Sequence, residues 1–488
     1  MGGDICIQDK MIAETSNQLG FTTLENEVVL DGLLVSGKIP SWFSGTLIRN
    51  GPAMFEVGRQ KFNHWFDGLA MLHKFSFTDG KVLYANKYLN TRAYKKAKET
   101  GKISFSEFAT DPCRSIFSRV SAMFSRQVTD NANVNITRIA NKFIAMTEAP
   151  IPVEFDPRTL ETIGVIDYNN NNRISGQVTT AHPHFDFSKN ETINYMTHFS
   201  RKSSYNIYKI PSGRKQQREL IASVKVNEPS YMHSFGLTEH YIILVEFPLV
   251  INPLDILISG KPFAENLLWK PEKGTKFTVV DRTNGKVVGS YQSEPFFAFH
   301  HVNSFETENN GIVVDMVAYP DSTIVRSLYL DVLRGDIPGS IPASQLRRYH
   351  ISPCSSSVEF EVLYDDMLEL PRINYRKYNM KDYDFIYAVG TYSVGNFTNR
   401  LIKTDVKNRN SNVWMEKGCH PGEPVFVARP DRVQEDDDGV VLSVVLDSNK
   451  GNSFILVLDA KSFEEIARAE VPHHIPFGFH GQYYGDIK

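Results

Sequence analysis

The segment FTVVDRTNGKVVGSY, at residues 277–291, holds the pattern that decides the fold. A run of apolar and β-branched residues ends at Asp281, a short polar turn follows, and a second run of the same kind begins. The segments VEFDPRTLETIGVI (153–166) and FILVLDAKSFEEIARA (454–469) repeat this arrangement around their own aspartates. Strand-forming residues on both sides of a turn predict a β-hairpin. The same hairpin is therefore expected at widely separated places in the chain.

Related turns occur at FTDGKVLYA (77–85) and EDDDGVVLSVVLD (435–447), so hairpins recur from one end of the chain to the other. Copies spread this evenly favour sheets stacked around an axis, as in a propeller, over a two-sheet sandwich. No Pro- or Ser-rich linker interrupts the pattern. We therefore predict one all-β domain over residues 1–488.

Four histidines lie in apolar, strand-like surroundings: His182 in TTAHPHFDF, His233 in PSYMHSFGL, His300 in FFAFHHVNSF and His480 in PFGFHGQYY. A lone histidine among aromatics is usually a hydrogen-bonded core residue. Three of these four, however, precede a polar turn and then an apolar run, so they occupy equivalent places in repeated hairpins. Equivalent places in a radial repeat can converge on its axis, which predicts a metal centre there. Imidazole ligands alone do not select between zinc, copper, iron and nickel.

Four further histidines compete for the ligand positions: His184, His301, His473 and His474. Side chains alternate along a strand, so only one member of an adjacent pair can face the axis. The sequence pattern alone leaves that choice open.

Three glutamates lie in apolar, proline-flanked segments: Glu148 in AMTEAPIPV, Glu369 in LELPRINY and Glu423 in GEPVFVA. A carboxylate that accepts the distal N–H of a histidine ligand fixes its tautomer and offsets the metal charge. The alternative is that they are loop glutamates facing solvent. We predict that they surround the histidines as a second layer.

The composition bounds the partners. With 53 basic and 56 acidic residues, the chain shows no sign of binding nucleic acid, and no obligate protein partner is evident. An aromatic content of 12% suits sheets and a tunnel for a long apolar ligand.

The four cysteines form no CxxC pair, and MGGDICIQDK at the N-terminus is not a signal peptide, so we expect the reducing cytoplasm. The apolar stretch at 241–260 carries charges and prolines, so no membrane-spanning helix is predicted.

The segment DPCRSIFSRVSAMFSRQ (111–127) predicts an amphipathic helix, with Asp111 as its cap and Pro112 at the first helical position. Its apolar face could pack on the sheets or lie on a membrane surface beside arginines that meet phosphates. A second apolar segment at 248–269 could extend such a contact. The residues of the predicted membrane-facing side are Ile116, Phe117, Val120, Met123 and Phe124.

The same segments resemble the carotenoid cleavage oxygenase family, in particular its metazoan branch of β-carotene oxygenases and the retinal-pigment-epithelium isomerohydrolase. The similarity covers nearly the whole chain. It rests on GTLIRNGPAMFEVG (45–58), NHWFDGLAMLHKF (63–75), TAHPHFD (180–186), EPSYMHSFGLTE (228–239), FHHVNSFE (299–306), EDDDGVVLSVVLD (435–447) and PFGFHG (476–481).

The resemblance implies a seven-bladed β-propeller with one non-haem Fe(II) on its axis, under a cap of loops and helices that forms an apolar tunnel. By matching motifs, it assigns His182, His233, His300 and His480 as the ligands. Glu148, Glu369 and Glu423 would serve His233, His300 and His480 in that order, and His182 would have no carboxylate partner. The segment TDPCRSIFSR resembles the membrane-facing region of this branch and so favours a monotopic, peripheral membrane contact.

The resemblance further implies a dioxygenase that uses O2 as co-substrate to cleave one C=C bond of a carotenoid or apocarotenoid into two aldehydes. Central 15,15′ cleavage to retinal-type products is the expected reaction, with no covalent enzyme intermediate. The alternatives are retinyl-ester cleavage with isomerisation, cleavage of a stilbene, and a propeller that serves only as a binding scaffold.

Overall fold

Antiparallel strands form nearly all of the regular structure in the computed structural model, which describes residues 17–112, 128–168, 174–213, 217–258, 261–391, 395–430 and 435–487. The first strands are Val29–Leu30 (β1), Leu34–Gly37 (β2), Gly45–Met54 (β3), Glu56–Val57 (β4), Gln60–Lys61 (β5), Leu69–Thr78 (β6), Lys81–Tyr88 (β7), Asn135–Ile139 (β8), Lys142–Met146 (β9), Val153–Phe155 (β10) and Thr162–Val165 (β11).

The middle strands are Val178–Thr179 (β12), His184–Asp186 (β13), Glu191–His198 (β14), Ser203–Pro211 (β15), Glu219–Val226 (β16), Gly236–Leu237 (β17), Tyr241–Glu246 (β18), Leu249–Ile251 (β19), Leu267–Trp269 (β20), Thr275–Asp281 (β21), Val287–Ser293 (β22), His301–Glu306 (β23) and Ile312–Ala318 (β24). The last strands are Gln345–Ile351 (β25), Glu359–Tyr364 (β26), Leu368–Arg372 (β27), Phe385–Gly390 (β28), Arg400–Asp405 (β29), Asn410–Trp414 (β30), Cys419–Pro421 (β31), Val425–Ala428 (β32), Gly439–Asp447 (β33), Asn452–Asp459 (β34), Glu465–Val471 (β35) and Gly481–Tyr484 (β36). The α-helices are Arg92–Thr100 (α1), Pro253–Ile258 (α2), Thr323–Ser327 (α3), Leu330–Leu333 (α4) and Tyr375–Tyr378 (α5).

Within the described residues, seven sheets of four to six strands form the blades of a β-propeller, as predicted. From the axis outward, the blades are I (β36-β3-β6-β7-β1), II (β8-β9-β10-β11), III (β12 and β13, then β14-β15-β16), IV (β17-β18-β21-β22), V (β23-β24-β25-β26), VI (β27-β28-β29-β30) and VII (β31 and β32, then β33-β34-β35-β2). Innermost strands of neighbouring blades contact one another around the axis, as β17 does with β23 and β36 does with β8.

Strands from both ends of the chain close the ring. The late strand β36 pairs antiparallel with β3, so that Thr46 lies opposite Tyr484, and the early strand β2 pairs with β35, so that Leu34 lies opposite Glu470. Blades I and VII therefore each combine N-terminal and C-terminal segments. This pairing covers sheet edges that an open array of blades would leave exposed.

The core lies between the faces of adjacent blades. Leu47 and Phe75 of blade I pack with Leu442 and Ile455 of blade VII, and all four are fully buried. Similar clusters join blades I and II and blades VI and VII. Strands buried on both faces consist of nearly continuous apolar runs, and β33 (GVVLSVVLD) is an example.

The predicted Asp-centred hairpins are confirmed. Oδ1 of Asp281 accepts hydrogen bonds from the backbone N–H groups of Thr283 (2.7 Å) and Asn284 (3.2 Å), and the N–H of Gly285 donates to the Asp281 carbonyl (2.9 Å). Such Asx turns reproduce a backbone turn with a side-chain acceptor. The same bonds occur at Asp156, Asp405, Asp447 and Asp459.

The connections between β7 and β8, between β18 and β21 and between β24 and β25 carry helices α1 to α4 and form the predicted cap of loops and helices. The helix predicted at 111–127 lies, from residue 113 onward, outside the described residues, and so do Ile116, Phe117, Val120, Met123 and Phe124. None of the helices that the structure describes has the length and apolar content that crossing a bilayer requires.

Candidate metal centre

The four predicted ligand histidines converge on the propeller axis. His182, His233, His300 and His480 each lie one to three residues before the innermost strand of a blade, in blades III, IV, V and I respectively. One ligand-capable nitrogen from each ring lies within 4.8 Å of those of the other three. The Nε2 atoms of His182 and His233 are 2.9 Å apart, and those of His300 and His480 are 3.3 Å apart.

These separations fit a metal ion. Nitrogens that share one ion through bonds of about 2 Å lie about 3 Å from one another. In neutral imidazole one ring nitrogen carries the proton and the other an acceptor lone pair. Since Nδ1 of His233, His300 and His480 faces a carboxylate, the lone pair of each ring belongs to Nε2, on the side where the four rings meet.

The three predicted glutamates take the predicted partners. Oε1 of Glu148 lies 2.7 Å from Nδ1 of His233, Oε2 of Glu369 lies 2.6 Å from Nδ1 of His300, and Oε1 of Glu423 lies 2.7 Å from Nδ1 of His480. The glutamates come from blades II, VI and VII, which supply no histidine to the group. Each of the seven blades therefore contributes one residue to the centre.

Thr180 links the remaining histidine to its neighbour. Its hydroxyl accepts a hydrogen bond from the backbone N–H of His182 at 2.9 Å and donates to the carbonyl of His233. Among the described residues, the structure records no carboxylate hydrogen-bonded to the His182 ring, whose Nε2 faces that of His233. Its position therefore depends on the backbone more than on a partner for Nδ1.

Sequence reasoning missed the groups that hold the glutamates. The hydroxyl of Tyr231 donates to Glu148, at 2.9 and 3.1 Å from its two oxygens, and that of Tyr319 donates to Oε1 of Glu369 at 2.9 Å. Glu423 instead accepts from Arg49 at 2.7 Å and from Arg372 at 3.1 Å. Arg49, Tyr231 and Arg372 stand in segments that the motifs had drawn attention to, whereas Tyr319 does not, and no local pattern paired any of the four with a carboxylate.

Burial favours the neutral form of two of the histidines. Burial lowers the pKa of His182 well below its usual value, and neighbouring imidazoles lower it further. Burial also lowers the pKa of His480 to about 4, although Glu423 raises it. For Glu423 itself, burial alone would raise the pKa, but Arg372, His480 and Arg49 outweigh it and hold the pKa well below the usual value. His182 and His480 are thus in the protonation state that metal binding requires.

The competing histidines do not reach the centre. The ring of His184 bonds to the Tyr375 hydroxyl and the Phe235 carbonyl, and Nδ1 of His301 lies 2.8 Å from the Ser234 hydroxyl. Nδ1 of His473 lies 2.7 Å from the His474 carbonyl oxygen, and Nε2 of His474 lies 3.2 Å from the Thr22 carbonyl oxygen. Strand alternation allows only one of the neighbours His300 and His301 to face the axis. The structure brings His300 to the centre, which is the residue that the family motif implied.

A cavity of about 590 Å3 lies against the histidines and runs under the cap. Its wall includes His233, His300 and His480 and is otherwise largely aromatic and aliphatic. Neighbouring aromatic rings of the wall contact one another. The ring centroid of Phe66 lies 5.8 Å from that of Phe299 and 5.2 Å from that of Phe479. An apolar cavity beside four imidazole nitrogens can hold a long hydrophobic substrate against a metal ion.

Comparison with known proteins places this arrangement in context. Residues 21–485 match the family model described as retinal pigment epithelial membrane protein. The chain is 36% identical to the mitochondrial carotenoid-cleaving dioxygenase of Mustela putorius furo, over 95% of each chain. It is 35% identical to the β,β-carotene 15,15′-dioxygenase of Mus musculus, over 93% of this chain and 88% of the relative.

Solved structures agree in fold. A variant of the apocarotenoid oxygenase of Synechocystis superposes with a TM-score of 0.85 at 25% identity, covering 98% of both chains. A cobalt-substituted form of the same enzyme gives a TM-score of 0.85 at 25% identity, over 96% of this chain and 98% of that one.

Proposed function

Because the chain belongs to the retinal pigment epithelial membrane protein family, whose members include the carotenoid oxygenases, we propose that it is a non-haem iron dioxygenase that cleaves a carotenoid or apocarotenoid with O2. The observation that carries the proposal is the meeting of four imidazoles beside an apolar cavity. The products would be two aldehydes. Central 15,15′ cleavage to retinal-type products is supported by the name of one group of relatives.

Iron is the proposed metal. Imidazole nitrogens accept iron as readily as zinc or copper, so the donor set alone does not select it. Family membership and the use of all four ligands without a thiolate or a ligating carboxylate support Fe(II). A ferrous ion held by these four residues would supply the capacity to activate O2, while the polyene supplies the electrons.

The chain's own residues would place the substrate. The cavity wall buries the polyene, a contribution of about 25 cal/mol per Å2 of apolar surface removed from water. Phe299 and Phe479, which directly precede His300 and His480, line the cavity beside the metal ligands. They would hold one double bond next to the metal and exclude bulk water from the reacting carbons. Placement of this kind converts a bimolecular step into an effectively intramolecular one.

An isotope experiment tests the dioxygenase. The iron-loaded protein is incubated with β-carotene or an apocarotenal under 18O2, and the aldehydes are reduced at once to alcohols so that water cannot exchange their oxygen. We expect the label in both fragments. Aldehydes without the label would contradict the proposal.

Product analysis with other substrates, together with the iron content, distinguishes the alternative functions. Release of an isomerised retinol from a retinyl ester, with no aldehyde from any polyene, would favour the isomerohydrolase. Cleavage of resveratrol but not of carotenoids would favour a stilbene-cleaving enzyme. A protein that retains no stoichiometric iron after expression in iron-rich medium would point to a binding scaffold.

We further propose a peripheral membrane contact. Leu254 on α2 and Leu268 on β20 are 61% and 43% exposed, and α2 contacts the 3-10 helix Phe263–Asn266, which lines the cavity. An apolar substrate could then pass from lipid into the cavity without crossing water. In flotation with phosphatidylserine-containing vesicles, Leu254→Glu should weaken binding, whereas Val413→Glu, at a 48%-exposed site on β30, should not. Equal flotation of both variants would contradict the contact.

Two further assignments stay proposals. We propose that residues 1–488 form one domain, because strands from both ends of the chain pair within blades I and VII. We propose the cytoplasm as the compartment because the four cysteines form no CxxC pair or disulfide framework, although several relatives carry the word mitochondrial in their names.

A further inference from the structure

The cavity wall carries a buried, hydrogen-bonded polar pair away from the histidines. Glu107 and Thr129 both line the cavity, and the Thr129 hydroxyl donates a hydrogen bond to Oε1 of Glu107 at 2.7 Å. Both side chains are buried, with Glu107 8% exposed. Other polar residues also line the cavity, among them Ser106 and Gln177, but Glu107 is the lining carboxyl that holds no ligand histidine. A polyene hydrocarbon offers Glu107 no partner, and a buried carboxyl beside hydrocarbon is costly.

Ring contacts place this region on one side of the metal centre. Phe108, which follows Glu107, lies 5.3 Å from Phe66 between ring centroids, and Phe66 in turn touches Phe299 and Phe479 beside the ligands. On the other side of Phe479, the rings continue through Trp65 to Phe397.

The two sides of the cavity differ in polarity. The side beyond Trp65 is lined mainly by apolar groups such as Phe397, Phe477 and Leu328, with Thr398 beside them. The side at Phe108 carries the paired Glu107 carboxyl and Thr129 hydroxyl. A long ligand would therefore meet mostly hydrocarbon at one terminus and a buried carboxyl at the other.

The Glu107 carboxyl is suited to donate as well as accept. Burial raises its pKa well above the usual value, and the hydrogen bonds with the Thr129 and Asn131 side chains only partly offset that effect. In the neutral acid, one oxygen can accept from Thr129 while the hydroxyl remains as a donor. An uncharged donor in an apolar wall can bind an alcohol or a carbonyl without the cost of desolvating an ion.

We propose that Glu107 and Thr129 form a hydrogen-bonding subsite for an oxygen atom at one end of the polyene, either the hydroxyl of an end ring or the carbonyl of an apocarotenal. The inference rests on the proposed polyene cleavage and gives it a preferred substrate class, one with an oxygenated terminus.

The subsite would also set which bond is cut. An apolar tunnel binds a polyene almost equally well after a shift by one double bond, because burial energy is non-directional. A directional hydrogen bond at one terminus removes that degeneracy. Since the rings of Phe108 and Phe66 lie between Glu107 and the histidine side of the cavity, an anchored chain would present an internal double bond to the metal.

The test compares Glu107→Leu with Glu107→Gln, a matched variant that stays neutral and keeps a donor. The probes are zeaxanthin and β-carotene, which share the polyene and differ in ring hydroxyls. For the iron-loaded enzyme, the ratio of kcat/KM for zeaxanthin to that for β-carotene should fall about 10-fold or more in E107L. It should stay within about 3-fold of wild type in E107Q. E107L should also yield products of cleavage at neighbouring bonds of zeaxanthin.

A binding measurement decides the inference independently of turnover. Trp65 lines the cavity, so a bound polyene should quench its fluorescence in the cobalt-loaded protein. We expect wild type and E107Q to bind zeaxanthin more tightly than β-carotene, and E107L to lose that preference. Equal weakening of both polyenes in E107L, or no preference in wild type, would overturn the subsite. Failure of the iron-loaded wild type to cleave either polyene would instead contradict the proposed function.

Discussion

Oε1 of Glu423 lies 2.7 Å from Nδ1 of His480, and the same carboxylate is held between Arg49 and Arg372. The other two histidine partners, Glu148 and Glu369, receive neutral tyrosine hydroxyls instead. The three carboxylates are therefore not equivalent. The negative charges of Glu148 and Glu369 can offset the positive charge of the metal through their histidines, whereas the charge of Glu423 is already offset by two guanidinium groups.

This difference predicts different costs for the same substitution. Glu423→Gln would leave Arg49, which is 4% exposed, without its carboxylate, and breaking a buried pair costs about 3–5 kcal/mol. Glu369→Gln breaks no pairing with a guanidinium and alters only the hydrogen bonds with His300, the Tyr319 hydroxyl and the Leu370 N–H, so it should cost about 1–2 kcal/mol. Chemical denaturation of the metal-free proteins measures both.

Metal affinity should fall in both variants, and further in Glu369→Gln, because the charge of Glu423 is already offset by two guanidinium groups. Loss of a carboxylate behind a histidine ligand typically weakens binding about 10–100-fold, which competition with a chelator would detect. If Glu423→Gln were no less stable than Glu369→Gln, the pairing of Glu423 with the two arginines would add nothing to the free energy of unfolding.

Removal of the metal should lower the melting temperature. At a free metal concentration of 100 times the dissociation constant, binding adds about 2.7 kcal/mol of stability, which corresponds to a shift of a few degrees. Cobalt should restore the melting temperature without restoring aldehyde formation. Calorimetry of His233→Ala gives the control, because a protein that lacks one ligand should show a much smaller metal-dependent shift.

The buried His73, on β6 of blade I, should make the free energy of unfolding depend on pH. Its Nδ1 lies 2.9 Å from the Tyr84 hydroxyl, and burial lowers its pKa to about 3. Between pH 3 and 6.5 the unfolded chain binds a proton that the folded chain does not, so the free energy of unfolding rises with pH by up to about 1.4 kcal/mol per unit. His73→Gln should reduce that slope in metal-free protein followed by urea unfolding at pH 5 and 6, and an unchanged slope would refute the assignment.

Two glycines in equivalent Asx turns should differ in their tolerance of alanine. Gly285 and Gly451 have φ values of 70° and 71°, a region that costs an alanine about 1–2 kcal/mol. A Cβ at Gly285 would lie 2.1 Å from the carbonyl oxygen of Ile221, whereas a Cβ at Gly451 would meet nothing within 4 Å.

Gly451→Ala should therefore cost about 1 kcal/mol, and Gly285→Ala clearly more, since backbone of a neighbouring blade must move. Denaturation midpoints of the two variants give the comparison. Equal midpoints would mean that blade IV yields at this contact without strain.

The hairpins were predictable because their information is local. At Asp281 and its counterparts, one carboxylate organises the N–H groups that follow it within four residues, and no distant segment is needed. The ligand histidines were predictable for a related reason, because each stands at the start of an innermost strand and so occupies a repeated place in the chain. The choice of His300 over His301 and the pairing of each glutamate with its histidine rested on the family motifs.

Only the tertiary structure decided which groups surround the carboxylates and how the cavity is divided. Arg49 meets Glu423 across 374 residues of sequence, and Tyr231 meets Glu148 across 83. The polar side of the cavity depends on Glu107 and Thr129 being brought together under the cap. The secondary-structure propensity of a segment carries no information about its contacts with other blades. Which blade faces meet is determined when the propeller ring closes through the pairing of β2 with β35 and of β36 with β3. The amino-acid sequence therefore determined the repeated hairpin and the residue types of the centre, and ring closure decided their neighbours.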